Sequence, residues 1–132
     1  MGSSWFRSMI TILIVDDHPL MRKGIRAVLE MYDNIRVIGE ASNGLEAVEY
    51  ARQLQPSVIL MDINMPHMDG VQATRLIKAE QPGVIVIGLS VNEAVSVRRA
   101  MDQAGATTFL RKEEVGDDLH DTIVRLMANP AV

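Results

Sequence analysis

The sequence predicts an α/β fold, a doubly wound, five-stranded parallel sheet of (βα)5 plan with helices on both faces. Short β-rich runs alternate five times with longer runs whose apolar residues recur at three- and four-residue steps. Three of the short runs are nearly unbroken Val, Ile and Leu, as strands buried on both faces require. The chain has 132 residues, 48% of them hydrophobic, which is one domain with enough apolar matter for a core.

Residues 1–9 lack the apolar stretch of a signal peptide and read as an expression leader or a disordered start, so the domain is expected over 10–128 with a tail at 129–132. Ile10–Val15 is the first predicted strand, and Pro19 then occupies a first helical position, where a missing N–H costs nothing, ahead of Leu20–Met31. Ile35–Glu40 is the second strand. Asn43 and Glu46 have capping-box spacing before the helix Leu45–Leu54, and Pro56 closes that unit. Ser57–Met61 is a third, central strand, followed by the helix Val71–Glu80 and Pro82. Val84–Leu89 is the fourth strand, and Ser90 with Glu93 repeats the capping-box spacing at the head of Glu93–Ala104. Gly105 ends that helix, Ala106–Leu110 is the fifth strand, and Val115–Met127 is the last helix. The second and fifth strands, being less apolar, read as flanking.

Thirteen basic residues against seventeen acidic ones give a net charge of −4, so no phosphate-backbone footprint is visible and direct nucleic-acid contact is not expected. The absence of cysteine excludes disulfides, thiolate metal sites and thiol nucleophiles, and fits a reducing, cytoplasmic setting. No apolar run approaches the roughly 18 residues of a membrane span.

In such a sheet, ligands bind beyond the carboxyl ends of the strands. The first strand ends in Asp16-Asp17, the third in Asp62 and the fourth in Ser90, while Arg111-Lys112 follow the fifth. Three carboxylates at one edge repel one another unless a cation lies among them. With no His or Cys counted among the ligands, a hard, oxygen-seeking ion such as Mg²⁺ suits the set. One divalent ion and Lys112 would neutralise it. An Asp nucleophile in such a pocket can form an aspartyl-phosphate, with Ser90 and Lys112 placed to receive its oxygens.

The stretches Ile12-Leu13-Ile14-Val15-Asp16-Asp17-His18-Pro19 and Met61-Asp62-Ile63-Asn64-Met65-Pro66, with Asp69-Gly70, Ser90, Phe109 and Lys112, resemble a bacterial response-regulator receiver domain over residues 10–127. The Asp-His-Pro-Leu-Met-Arg run and Gly39-Glu40-Ala41-Ser42-Asn43-Gly44 further resemble the NarL/LuxR-type subgroup. The resemblance implies a flavodoxin-like strand order, 2-1-3-4-5. It also implies that Asp62 is the phosphoacceptor, Asp17 a direct Mg²⁺ ligand, Asp16 a ligand through water and the Asn64 carbonyl another ligand. Ser90 and Lys112 would bind phosphoryl oxygens, and Phe109 would change rotamer as Ser90 moves, with Arg98, Arg99, Asp102 and Arg111 on the output face. The implied partner is a histidine kinase or phosphotransfer protein, a homodimer is left open, and the chain would be a switch rather than a turnover enzyme. Glu113 stands where the family commonly has a proline after the lysine, which argues against a cis peptide, and Val91 is bulkier than the common alanine.

Each residue also has an ordinary explanation: Asp16-Asp17 as a helix cap, Ser90 as a capping-box serine, Asp62 as a turn former, Lys112 as a surface charge, Phe109 as core. Their joint arrival at one sheet edge outweighs these. His18, His67 and His120 are scattered and read as ordinary polar residues, and the nine Met as core filler. Two other functions stand beside the switch. One is a Mg²⁺-dependent phosphohydrolase of haloacid-dehalogenase type, which expects Asp-x-Asp after its first strand. The other is a pseudo-receiver that binds partners without phosphorylation.

Overall fold

The computed structural model describes residues 9–63, 65, 67–91 and 95–128. Asn64, Glu93, most of the expected leader and the expected tail therefore lie outside the described residues. Five β–α rounds are present: β1 (Ile10–Val15), α1 (Pro19–Leu29), β2 (Ile35–Ala41), α2 (Gly44–Leu54), β3 (Val58–Asp62), α3 (Gly70–Glu80), β4 (Ile85–Ser90), α4 (Val95–Ala104), β5 (Thr108–Arg111) and α5 (Val115–Ala128). A 3₁₀ turn, Lys112–Glu114, joins β5 to α5. All strand pairs are parallel and the order is β2-β1-β3-β4-β5, so the two less apolar strands are the edges.

The alternation of strand side chains splits the core in two. Ile12, Ile14, Leu60 and Ile87 pack with Ile25 and Leu29 of α1 and Leu119 and Ile123 of α5. Leu13, Val15, Ile59, Met61 and Val86 face Ala47 and Ala51 of α2, Ala73 and Ile77 of α3 and Met101 of α4. β1, β3 and β4 bury both faces, which is why their sequences read as continuous apolar runs. Met61 and Met101 are core residues as expected, whereas Met31 is exposed just beyond α1.

Several boundaries differ from the sequence reading, each for a local reason. Helix α1 stops at Leu29, where Glu30 N–H still bonds the Arg26 carbonyl but Met31 and Tyr32 turn back to Val28 and Leu29. Strand β5 starts at Thr108 because Ala106 N–H bonds the Met101 carbonyl and closes α4, with Gly105 at φ +111° supplying the left-handed turn. Strand β3 runs through Asp62 and β4 through Ser90, so both chemistry-bearing residues are held by sheet rather than loop. Ser90 thus ends a strand; α4 is described from Val95, and the capping-box partner Glu93 lies outside the described residues. At α2 the Asn43 side chain accepts the Glu46 N–H, but Glu46 reaches back to the N–H and hydroxyl of Ser42, one residue earlier than a capping box places it.

Gly70 shapes the edge that matters. Its N–H bonds the Ile63 carbonyl at 2.8 Å, and a Cβ there would overlap the Asp62 carbonyl oxygen. Only glycine lets the start of α3 close onto the end of β3 in this way.

Candidate functional site

The carboxyl ends of β1 and β3 and the 3₁₀ turn after β5 bring Asp16, Asp17, Asp62 and Lys112 together. Asp16 is fully buried. Its Oδ1 accepts the His18 backbone N–H at 2.8 Å, and its Oδ2 lies 2.8 Å from Lys112 Nζ. Arg22, from α1, donates to the Asp16 carbonyl at 2.6 Å and to Glu40 at 3.0 Å, which pins the β1–α1 loop without neutralising either site carboxylate. Asp62 is also buried, 3.5 Å from Lys112 Nζ through Oδ1, and its Oδ2 has no hydrogen-bond partner among the described residues.

An unpartnered, buried carboxylate oxygen is costly unless something outside the chain takes it up. Burial pushes the Asp62 carboxyl up to about 6, and the neighbouring Asp16 and Asp17 charges add to that, against the pull of Lys112. Burial works against the charged form of Lys112 as well, yet Asp16 and Asp62 outweigh it and hold its ammonium above the ordinary lysine range. One lysine against three carboxylates leaves the pocket under-neutralised. The oxygen donors and the unpartnered Asp62 Oδ2 fit a hard divalent cation, with Asp16, Asp17 and Asp62 the residues that would hold it. The Asn64 carbonyl expected beside them lies outside the described residues.

The two remaining expected residues flank this group. Ser90 is buried at the end of β4, one residue beyond the Leu89 that pairs with Asp62. Phe109 is buried on β5 opposite Gly88, where a Cβ would stand 3.1 Å from the ring; the Arg98 guanidinium lies 5.2 Å from the ring centroid. Lys112, read from sequence as the residue after a strand, opens the 3₁₀ turn that Glu114 caps by accepting the Arg111 N–H. His18, taken as ordinary, proves to be part of the group: its Nδ1 lies 3.0 Å from Asp16 and 3.1 Å from Asp17. Its place directly after Asp16-Asp17 and before a helix-starting proline was the available signal. Arg22 went unassigned as well, one helical turn further on.

A family model described as response regulator receiver domain matches residues 12–124. The chain belongs to that family. Response-regulator receiver domains are signalling domains. The domain is 39% identical over 104 residues to response regulator GacA of Pseudomonas viridiflava, covering 79% of this chain and 49% of that protein. It is 34% identical over 117 residues to a nitrate/nitrite response regulator homologue of Haemophilus influenzae, covering 89% of this chain and 56% of that protein. The chain therefore spans about half the length of these curated relatives. Among solved structures, the response regulator domain of Thermotoga maritima CheB superposes with a TM-score of 0.85 at 31% identity, covering 91% of this receiver and 97% of that chain. The receiver of the NarL regulator from Mycobacterium tuberculosis gives 0.78 at 30%, covering 86% and 95%. These likenesses agree with the subgroup expected from the sequence, and none supports the phosphohydrolase or the phosphorylation-independent alternative. No helix among the described residues is long and apolar enough to cross a membrane.

The raised Asp62 carboxyl makes a stability prediction. In the unfolded chain the group titrates near about 4. Between there and about 6 the folded receiver binds more protons, so its stability falls as pH rises through that window and stays lower above it. With chelator present, Asp62→Asn should be more stable than the wild type by about 1–3 kcal/mol near neutral pH, with the gap closing below about pH 4. Urea denaturation at the two pH values checks this; equal stability at neutral pH would contradict the burial and charge argument.

Proposed function

We propose that this receiver accepts a phosphoryl group on Asp62 from a partner phosphohistidine, with Mg²⁺ held by Asp16, Asp17 and Asp62, and passes the change to the α4–β5–α5 face. The carrying observation is the buried Asp62 carboxylate, one oxygen of which has no partner among the described residues, beside a lysine that already reaches toward it. In the transfer, an Asp62 oxygen attacks phosphorus and the P–N bond of the donor breaks. The departing imidazole nitrogen keeps the electron pair and takes up a proton. When bound, the cation supplies the charge neutralisation that lets an anionic phosphodonor approach.

Lys112 and the Ser90 hydroxyl then serve the phosphoryl oxygens. Lys112 lies nearer to Asp16, at 2.8 Å, than to Asp62, at 3.5 Å, so turning toward a phosphoryl oxygen would loosen its hold on Asp16, a carboxylate that a bound cation would also neutralise. Hydrolysis runs by attack of water on phosphorus, returning the free carboxylate, so the receiver limits the lifetime of its own signal without turning over a separate substrate. Drawing Ser90 toward the phosphoryl group would move the end of β4, two residues beyond the Gly88 that pairs with Phe109, and Arg98 over the ring would connect that change to the exposed face of α4. The acidic net charge supports partner proteins rather than direct nucleic-acid contact for this domain, the absence of cysteine fits a cytoplasmic setting, and a homodimer is one way to use that face.

Acetyl phosphate with Mg²⁺ should add about one phosphoryl group by intact-mass spectrometry, and Asp62→Asn should abolish it. Full labelling in excess chelator would sink the mechanism. Amide NMR with beryllofluoride and Mg²⁺ should move resonances along α4 and from Thr108 to Lys112; shifts confined to the Asp62 pocket would show a site that binds the phosphoryl mimic without transmitting anything.

A further inference from the structure

Four side chains at the carboxyl edge offer ligand atoms within 4.8 Å of one another, and only three of them are carboxylates. The fourth is His18, which the phosphoryl-transfer scheme does not use. Its Nδ1 stands 3.0 Å from Asp16 Oδ1 and 3.1 Å from Asp17 Oδ1. Two ligand atoms at right angles around a small divalent ion with bonds of about 2.0–2.1 Å are about 3 Å apart. The imidazole nitrogen is therefore already at coordination-edge distance from an oxygen of each acidic residue.

The usual employment for a polar residue at this position is absent. His18 is the N-cap of α1, yet its side chain makes no cap hydrogen bond, and Pro19 at the first helical position has no N–H to offer. The ring instead stands 67% exposed over the acidic pair, on the solvent side of the pocket. At the bottom, Asp62 is 4% exposed and its Oδ2 lacks a partner among the described residues, which independently marks the pocket as built for a ligand from outside. Imidazole has a tautomer in which Nδ1 carries a lone pair, and that nitrogen faces the same space as the Asp16 and Asp17 oxygens.

We infer that His18 is a nitrogen ligand that turns the pocket from an all-oxygen site into a mixed oxygen–imidazole one, and so raises its preference for imidazole-seeking first-row ions such as Ni²⁺ over Mg²⁺. The inference rests on the proposed reading of the pocket as a divalent-cation site. Carboxylate oxygens serve Mg²⁺ and the transition ions alike, but an imidazole strengthens binding selectively for the latter. Occupation by such an ion places a fourth protein ligand at the mouth, where the phosphodonor has to enter.

Calorimetric titration with Ni²⁺ and, separately, Mg²⁺ at about pH 8, above the ordinary histidine range, tests this on the wild type, His18→Ala and His67→Ala. His18→Ala should weaken Ni²⁺ by about tenfold while leaving Mg²⁺ within about twofold, and His67→Ala should change neither. The His18 ring is largely exposed and caps nothing, so the variant is expected to fold, and its circular dichroism spectrum confirms that. Unchanged Ni²⁺ affinity in His18→Ala, or its loss in His67→Ala instead, overturns the inference while leaving the Mg²⁺ site standing. A wild type that binds neither ion overturns the cation site itself.

Discussion

Three carboxylates and one lysine share the carboxyl edge of a sheet that excludes water from two of the acids, and this imbalance governs the pocket. Asp16 and Asp62 are buried because β1 and β3 are central strands, covered by helices on both faces. Burial is the largest influence on the Asp62 carboxyl, and the neighbouring negative charges reinforce it. Lys112 cannot serve both acids equally, lying 2.8 Å from Asp16 and 3.5 Å from Asp62. The receiver is thus held short of a charge balance that one divalent ion would complete. A site of this kind is responsive because the fold leaves it unsatisfied.

The same constraint explains the surrounding construction. Asp16 is held in place by the His18 N–H on one oxygen and Lys112 on the other, while Arg22 fixes its backbone. Gly70 allows α3 to close against the Asp62 backbone, where any side chain would collide. The 3₁₀ turn that carries Lys112 is tied by the Glu114 carboxylate to the Arg111 N–H, so the lysine projects from a defined point rather than from a loose loop. On the far side of Ser90, the pairing of Gly88 with Phe109 leaves room for a large ring in the buried layer, roofed by Arg98. Asp62 on β3 and Phe109 on β5 are separated by one strand, β4.

Much of this was legible in the sequence because its strongest signals were hydrophobic. The continuous apolar runs at Ile10–Val15 and in β3 and β4 identified central strands, and the strand-end rule then delivered Asp16, Asp17, Asp62, Ser90 and Lys112 to one edge. The strand order came from resemblance, since periodicity does not say which strands are neighbours. What stayed hidden depended on three-dimensional competition for hydrogen bonds. Ala106 looks like strand, but its N–H is spent closing α4; Glu46 looks like half of a capping box, but Ser42 captures it. His18 reads as ordinary because the three histidines are scattered along the sequence, and the rotamer that turns its Nδ1 onto both aspartates is visible only in three dimensions.

Thermal melting against Mg²⁺ concentration, for the wild type and Asp17→Asn, bears most directly on the charge imbalance. The wild type should melt progressively higher as the ion is added to chelator-treated protein, because the ion binds the folded pocket and not the unfolded chain. Asp17→Asn should start higher without ion, having one negative charge fewer, and gain much less from it. A wild type whose melting temperature ignores Mg²⁺, or an Asp17→Asn variant that melts lower in chelator, would show that the pocket is already balanced and that its carboxylates are not waiting for a cation.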